Sequence, residues 1–351
     1  MTATMGAGAE AAVVADGLVK RFGDVEAVRD VSFTVPRGTV LGVLGPNGAG
    51  KTTVVRMLTT LAKPTAGSAS VLGLDVQREA MKVRGVIGLA GQYAAVDENL
   101  TGRENLRLVG KLTHLSAEQT AARADVLLEQ FNLVHAADRL VRTYSGGMRR
   151  RLDLAGALVH EPPVLFLDEP TTGLDPKGRN ELWAVIRNLV DGGTTVLLTT
   201  QYLEEADALA DRILVIDHGM VIAEGTSAEL KSRFAATVIE VGFRDGDTAE
   251  RAATALASVG ELRTKGELVR IGVAGAESAT AMLEAVRALD GAGIEPATMV
   301  LREPTLDDVF LALTGHAAEE ATDTDDDEVV VTKGRGRKTK SEPAEKRGGA
   351  R

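Results

Sequence analysis

The stretch Gly45–Thr52 reads Gly-Pro-Asn-Gly-Ala-Gly-Lys-Thr and constrains the fold more than any other part of the chain. The apolar run Val40–Leu44 precedes it, and the helix-like run Thr53–Leu58 follows it. A strand, a G-x-x-x-x-G-K-[ST] loop and a helix in this order are typical of a phosphate-binding loop. The glycines let backbone N–H groups turn toward phosphate oxygens, and the helix adds its positive N-terminal end. The sequence therefore predicts a phosphate site at this turn.

This loop supplies most of the predicted phosphate contacts. We expect Lys51 to reach the β- and γ-phosphates of a nucleotide and the Thr52 hydroxyl to bind Mg²⁺. The residues predicted to hold the phosphates are Gly45, Pro46, Asn47, Gly48, Ala49, Gly50, Lys51, Thr52 and Thr53.

A second motif is an apolar strand, Val164–Asp168, that ends in two carboxylates because Glu169 follows. Asp168 suits Mg²⁺, directly or through water, and Glu169 can act as the general base that polarises an attacking water. Apolar strands that end in Asp-Glu are common. Downstream of a phosphate loop, however, this one is interpreted as a Walker-B strand.

A third motif, Tyr144-Ser145-Gly146-Gly147-Met148, opens a helix with a serine and two glycines. Backbone N–H groups and the helix dipole make such a start a second anion site. Two phosphate sites on one chain make sense if two chains face each other.

The ordered set of motifs over about residues 12–230 resembles the ATP-binding subunit of ABC transporters. Tyr144–Met148 matches the family signature, usually Leu-Ser-Gly-Gly-Gln, and Thr172–Asp175 matches the D-loop. Gln92 falls at the Q-loop glutamine, and Phe22 matches the aromatic residue that stacks on adenine.

This resemblance implies a head-to-tail homodimer that sandwiches two ATP molecules, with GTP left open as the nucleotide. Each nucleotide would be held by the phosphate loop of one subunit and by the signature and D-loop of the other. The implied residues of that second half-site are Ser145, Gly146, Gly147 and Asp175. The resemblance also implies Thr52, Gln92 and Asp168 as Mg²⁺ ligands.

Gln201 stands where the family usually has a switch histidine. A glutamine keeps a hydrogen-bond donor and an acceptor, but it cannot carry the charge of an imidazolium. Two outcomes follow: either Glu169 and Gln201 together position the water at the γ-phosphate, or turnover is slow.

Three segments narrow the resemblance: Thr199–Asp207, Tyr144–Arg151 and Leu306–Gly315 are together similar to the daunorubicin/doxorubicin-resistance exporter ATPases of actinobacteria. This implies an ATPase at the cytoplasmic face of the cell membrane that drives efflux of a drug or hydrophobic compound. A separate polytopic permease of the ABC-2 type would form the pore.

A cell-envelope lipid is the alternative cargo, and the core motifs do not exclude an importer. A cytosolic ABC ATPase is a further alternative, although translation-type members carry two phosphate loops and repair-type members carry long coiled coils.

Composition excludes several other classes. The 351 residues contain no cysteine, so disulfides, thiol catalysis and thiolate metal sites are ruled out. No apolar run approaches the length of a membrane span, and no Lys or Arg precedes Lys20, so no signal peptide is expected. We therefore expect membrane contact mainly through the permease. A net charge of −10 argues against nucleic-acid binding.

The chain divides into four predicted parts. These are a flexible leader (1–11), the ATPase (12–230, with a helical subdomain at about 95–160), a small α+β domain (236–315) and a charged, disordered tail (317–351). The ATPase is predicted as an α/β, P-loop NTPase core of parallel buried strands. Its first strands are placed at Val13-Val14, Val31–Val35 and Val40–Leu44, and its last at Ile213–Ile216 and Val221-Ile222.

The third part is predicted to be ferredoxin-like. The predicted strands are Thr237–Phe243, Leu268–Val273 and Ile294–Leu301, with helices at Ala249–Val259 and Ser278–Leu289. A last helix is expected to begin after Thr305 as its N-cap. This domain either stabilises the dimer or recognises the permease, or the last helix simply docks on its own domain. The basic block of the tail either contacts anionic lipid or is solvated.

Overall fold

The computed structural model describes residues 10–92, 95–234, 237–273 and 278–314. Residues 1–9 of the predicted leader, Gly315 and the whole predicted tail lie outside these ranges. The strands are β1 (Ala11–Phe22), β2 (Val25–Pro36), β3 (Val40–Leu44), β4 (Ala66–Val71), β5 (Leu74–Asp75), β6 (Ile87–Ala90), β7 (Val164–Asp168), β8 (Thr195–Thr200), β9 (Arg212–Asp217), β10 (Met220–Gly225), β11 (Thr237–Gly242), β12 (Glu261–Lys265), β13 (Leu268–Val273) and β14 (Thr298–Arg302). The helices are α1 (Lys51–Leu58), α2 (Ala80–Val86), α3 (Gly102–Leu112), α4 (Ala117–Gln130), α5 (Gly146–Ala157), α6 (Pro176–Asp191), α7 (Leu203–Leu209), α8 (Ser227–Phe234), α9 (Gly246–Leu256), α10 (Ser278–Gly291) and α11 (Leu306–Thr314).

The central sheet has the strand order β10-β9-β3-β8-β7-β6. Strands β9, β3, β8, β7 and β6 run parallel, and β10 is antiparallel to β9. Every residue of β3, β7 and β8 is buried, as expected for parallel strands that are covered on both faces. The α/β prediction is confirmed. Because the strands are parallel, the segments that follow β3, β7 and β8 meet at one edge.

A second sheet, β2-β1-β4-β5, is antiparallel throughout. The placement of Val13-Val14 and Val31–Val35 in the parallel core was therefore wrong. The reason is local: only Gly23 and Asp24 separate β1 from β2, and so short a connection joins antiparallel strands. Gly23 takes a φ of 57°, which a hairpin turn of this kind requires.

The predicted helical subdomain contains α3, α4 and α5. Reciprocal capping boxes start α3 and α4, formed by Thr101 with Glu104 and by Ser116 with Gln119. Apolar side chains of these helices, together with the buried ring of Phe131, form one cluster. Across the described residues, we find no helix that is both long enough and apolar enough to cross a bilayer.

The C-terminal sheet has the order β12-β13-β11-β14 and is antiparallel throughout. With α9 and α10 packed into its core, the β-α-β-β-α-β chain has the ferredoxin-like arrangement that we predicted. Strand β12 was missed because its side chains are mostly exposed and show no apolar alternation. The strand predicted from Ile294 begins only at Thr298, because Ile294 is buried against this core before the strand starts.

Helix α11 packs on the ATPase part rather than on the ferredoxin-like domain. Leu306, Val309 and Phe310 are buried in one cluster with side chains of α7, α8 and β9. Thr305 is confirmed as the N-cap, since its Oγ1 accepts from Asp308 N at 3.3 Å. The alternative in which this helix docks on its own domain was wrong, because α9 and α10 already fill that core.

Candidate functional site

Two glycines in the loop between β3 and α1 stand where any side chain would clash with neighbouring backbone. A Cβ at Gly45 would lie 2.2 Å from the Ile216 carbonyl oxygen. Gly50 has a φ of 105°, and a Cβ there would lie 2.5 Å from the Ala27 carbonyl oxygen. Both contacts are to backbone, which cannot move aside cheaply. The loop therefore lies against two neighbouring strand ends and presents the start of α1 to the site.

Lys51 is buried at the base of this loop. Its Nζ donates to the carbonyl oxygens of Gly45, at 2.7 Å, and Pro46, at 3.1 Å. It also lies 3.6 Å from Oε1 of Glu169. The phosphate loop and the carboxylate beyond β7 are thus joined through one ammonium group.

Asp168 accepts two hydroxyl hydrogen bonds on the same oxygen. Thr52 Oγ1 donates to Asp168 Oδ1 at 3.1 Å, and Thr199 Oγ1 donates to it at 2.6 Å. A hydroxyl and a carboxylate that converge in this way form a set of hard oxygen donors, which fits Mg²⁺. The predicted pair Thr52 and Asp168 is therefore brought together.

Thr199 was missed as a site residue. Its Oγ1 also accepts from Glu169 N at 3.1 Å, so one buried hydroxyl joins the two acidic residues. The available signal was positional: Thr199 and Asp168 are register partners at the ends of adjacent parallel strands.

Glu169 is buried and has a φ of 49°, in the left-handed region. A non-glycine residue held there carries strain of about 1–3 kcal/mol, which the surrounding hydrogen bonds must offset. The Glu169 N–H donates to both the carbonyl and the hydroxyl oxygen of Thr199, each at 3.1 Å. The main chain at Glu169 is therefore pinned by its neighbours.

Gln201 follows β8 and is half-buried. Its Oε1 is buried, and no hydrogen-bond donor reaches it from the described part of the chain. A buried acceptor without a donor is costly, so it is suited to receive a hydrogen bond from a bound molecule.

Phe22 and Gln92, the two residues predicted at the margins of the site, are exposed. The Phe22 ring is 51% exposed at the end of β1, with Lys20 Nζ 4.9 Å from its centroid. Gln92 lies just beyond β6. Both side chains are accessible to a ligand.

The signature segment begins α5. Ser145 is its N-cap, and its Oγ accepts from Met148 N at 3.3 Å. A Cβ at Gly147 would lie 3.3 Å from Leu174, so the signature and the D-loop are adjacent. Asp175 caps α6 by accepting from Gly178 N at 3.0 Å. Ser145, Gly146 and Asp175 are exposed, so a partner could reach them.

Two buried charged residues behind the site were also missed. Arg150 on α5 donates to main-chain carbonyls at the end of β7, and burial lowers its pKa. Glu205 on α7 accepts from Trp183 Nε1 at 3.3 Å, and burial raises its pKa. Neither lies in a segment whose sequence pattern distinguishes a buried charge from a surface one.

Known protein sequences resemble this chain over the segments that carry these motifs. Residues 28–172 match the family model described as ABC transporter. A daunorubicin resistance ATP-binding protein of Streptomyces coeruleorubidus is 56% identical over 308 residues, which is 88% of this chain and 97% of that protein. A Nod factor export ATP-binding protein I of Burkholderia lata is 41% identical over 302 residues, which is 86% of this chain and 96% of that protein.

Solved structures share the architecture. An ATP-binding subunit of an ABC transporter matches with a TM-score of 0.59 and 28% identity, covering 63% of this chain and 92% of that chain. A dimeric ATP-binding cassette in a post-hydrolysis state, bound to ADP and Pi, matches with a TM-score of 0.57 and 26% identity, covering 61% of this chain and 98% of that chain. This chain therefore contains a whole cassette fold.

Proposed function

This chain belongs to the ABC transporter ATP-binding family, among the daunorubicin-resistance ATP-binding proteins, and from that premise we propose that it powers export through a separate ABC-2 type permease. It is an ATPase that binds ATP. The observation that carries the proposal is the convergence of Lys51, Thr52, Asp168 and Glu169 at one edge of the sheet. Thr52 Oγ1 lies 3.1 Å from Asp168 Oδ1, and Lys51 Nζ lies 3.6 Å from Glu169 Oε1.

Each residue has a role in ATP binding. Phe22 stacks on adenine, and residues 45–53 hold the phosphates, with Lys51 at the β- and γ-phosphates. Thr52, Asp168 and the exposed Gln92 would hold Mg²⁺. When bound, Mg²⁺ neutralises negative charge on the phosphate oxygens.

Hydrolysis uses Glu169 as the general base. The carboxylate takes a proton from the attacking water, and the neighbouring Lys51 holds the γ-phosphate that is attacked. The unsatisfied Gln201 Oε1 accepts a hydrogen bond from that water, while its amide N–H groups donate to the γ-phosphate. Two outcomes were expected for a glutamine in place of the switch histidine: a positioned water or slow turnover. The unsatisfied Oε1 of Gln201 favours the positioned water.

Two subunits form a head-to-tail homodimer around two ATP molecules. The N–H groups at the start of α5, with Ser145, Gly146 and Gly147, bind the γ-phosphate held by the partner's loop, and Asp175 lies at the same interface. Loss of the γ-phosphate removes this bridge, so the dimer opens. Opening and closing moves the permease between its two states.

Residues 12–230 carry this chemistry, and the protein acts at the cytoplasmic face of the membrane through its permease, without nucleic acid. The cargo class that we favour is a drug or hydrophobic compound, because the relative named above is a daunorubicin resistance protein. A cell-envelope lipid is kept as the second candidate. Another relative is named for export of a Nod factor, so membership of this family does not by itself require a drug as cargo.

The test is to recover the tagged chain from gently solubilised native membranes and identify what accompanies it. We expect one stoichiometric polytopic membrane protein, which is absent when an unrelated protein carries the same tag. Deletion of that partner should then raise sensitivity to a hydrophobic drug; an altered lipid profile with unchanged sensitivity would indicate the lipid cargo. Recovery only from the soluble fraction, with ribosomes or DNA, would contradict the exporter function and leave the ATPase chemistry standing.

A further inference from the structure

Arg150 is the middle residue of a run of three arginines on α5, and it bonds to the main chain around the proposed base. The run by itself does not indicate this contact. The Arg150 guanidinium donates to the carbonyl oxygens of Asp168 and Glu169, both at 3.0 Å, and of Pro170 at 2.9 Å. It also donates to the carbonyl oxygen of Gly91. One side chain thus holds three consecutive carbonyls around the proposed base and the residue that precedes Gln92.

The two neighbouring arginines face elsewhere. Arg149 pairs with Glu98 at 3.1 Å and Arg151 with Glu181 at 3.4 Å, and both are more exposed than Arg150. Arg150 is 6% exposed, and Asp153 lies 3.5 Å away on the same helix. Its bonds to several carbonyl oxygens use most of the five donors of a guanidinium, so the group is held in one geometry.

The same helix begins at the signature. Arg150 is five residues beyond Ser145, which is about 7.5 Å along the axis of an α-helix. In the proposed dimer the N-terminus of α5 faces a nucleotide on the partner, while Arg150 in its second turn holds the main chain of Glu169 and Gly91 in its own subunit. A rigid helix joins the two places.

We propose that Arg150 is a positioning residue that couples the two nucleotide sites of the dimer. Seating of the partner's nucleotide on Ser145 and Gly147 sets the position of α5, and Arg150 passes that position to the main chain of Glu169. This inference rests on the proposed dimer. Burial lowers the pKa of Arg150 and raises that of Asp153, which agrees with a dry, tightly constrained contact.

The experiment compares Arg150→Met, which keeps length but removes every donor, with Arg150→Lys, which keeps one charged donor. The control is Arg123→Met, because Arg123 also donates to a main-chain carbonyl, that of Leu158 at 3.2 Å, but does so away from the site. For each full-length protein, kcat, the Hill coefficient for ATP, the ATP affinity measured by fluorescent-nucleotide titration and the thermal midpoint are determined. Each substitution is also made in a Glu169→Gln background to measure ATP-dependent dimerisation.

Arg150→Met should lower kcat by roughly tenfold or more, as expected when a catalytic group is slightly misplaced. The Hill coefficient of Arg150→Met should fall to one. Its ATP affinity should change less than about twofold, because the phosphate loop is intact. Arg150→Lys should recover part of the lost kcat and part of the lost cooperativity. Arg123→Met should match the wild type in kcat and Hill coefficient, and any fall in its thermal midpoint gauges the effect of losing such a contact away from the site. If Arg150→Met does not fold, the Lys variant carries the same comparison.

Three results separate the possible failures. An unchanged kcat and Hill coefficient in Arg150→Met overturns the coupling. A lower thermal midpoint and kcat with an unchanged Hill coefficient also overturns it, because the role is then only structural. A Glu169→Gln protein that does not dimerise with ATP, with Arg150 intact, contradicts the proposed dimer itself.

Discussion

Lys51 Nζ lies 3.6 Å from Glu169 Oε1, and only 4% and 10% of the two side-chain surfaces are exposed. Two opposite charges so close and so far from water stabilise each other, whereas one left alone would be costly. The phosphate loop and the proposed base are therefore held in a fixed relation by the folded chain. Each is positioned by the other before any chemistry begins.

Glu169→Gln should remove the base while leaving the site assembled. Lys51 keeps its bonds to the Gly45 and Pro46 carbonyls, so the loop should retain its shape. We expect turnover to fall by roughly 100-fold or more, the range typical of a lost general base, and a stable ATP-bound dimer to accumulate. Phosphate release and size-exclusion chromatography with ATP measure both. Glu204→Gln, an exposed carboxylate on α7, is the control; normal turnover in Glu169→Gln would refute the assignment.

Gln201→Ala should slow hydrolysis and leave ATP binding nearly unchanged. The Oε1 that no described donor reaches would be gone, and the water would lose its acceptor. We expect roughly a tenfold lower kcat, less than the roughly 100-fold or more lost with one oxyanion-hole donor, because Glu169 remains as the base. The control is Gln130→Ala, an exposed glutamine at the end of α4. Full activity in Gln201→Ala means that this residue does not sense the γ-phosphate.

Thr199→Val keeps the shape of the side chain but deletes the hydroxyl between Asp168 and Glu169 N. The buried Glu169 N–H then keeps only its bond to the Thr199 carbonyl oxygen. We expect about 1–3 kcal/mol lower unfolding free energy, the cost of under-satisfied buried polar groups, and reduced turnover. Urea unfolding and phosphate release measure these two effects. Thr199→Ser keeps the hydroxyl and should therefore retain wild-type stability and turnover. A Ser variant that is as impaired as the Val variant would show that the methyl group of Thr199, and not its hydroxyl, is what matters.

Glu205 makes stability depend on pH. Burial raises its pKa above the ordinary value of 4.5. Below pH 4.5 the Glu205 carboxyl is protonated in both the folded and the unfolded state. As pH rises, the unfolded chain loses the proton first, so stability falls until pH passes the folded-state pKa.

Glu205→Gln removes this titration and can still accept from Trp183 Nε1. Its unfolding free energy relative to wild type should therefore be higher at about pH 8 than at about pH 5. Urea unfolding at both values measures the difference, with Glu204→Gln as the exposed control. A difference that does not change with pH would show that Glu205 is ionised alike in both states.

Phe310→Ala tests the docking of α11 on the ATPase part. Phe310 is 5% exposed against α7 and α8, so truncation should cost about 3–5 kcal/mol. Leu311→Ala, one residue on and 50% exposed, should change stability by less than about 0.5 kcal/mol. Both are read from urea unfolding of the full chain. Equal effects at the two positions would mean that α11 does not pack as described.

Local pattern was sufficient for features whose signal lies within a few residues. The glycine spacing of Gly45–Thr52 and the apolar runs of β3 and β7 predicted the loop and the strands. Thr305 was predicted as a cap because capping depends on a residue three positions away. The same local rule did not reveal β12, whose exposed side chains need no apolar alternation.

The sequence by itself determined the α/β class, the phosphate loop, Asp168 with Glu169 and the signature start of α5, because each depends on residues that are neighbours in the chain. Only the tertiary structure decided that β4 joins β1 in a separate antiparallel sheet, that α11 covers the ATPase part, and that Thr199 and Arg150 hold the catalytic main chain. The physical reason is common to all three. Strand pairing, helix docking and the hydrogen bonds of buried donors depend on which distant segments meet, and side-chain type along the chain does not specify that partner.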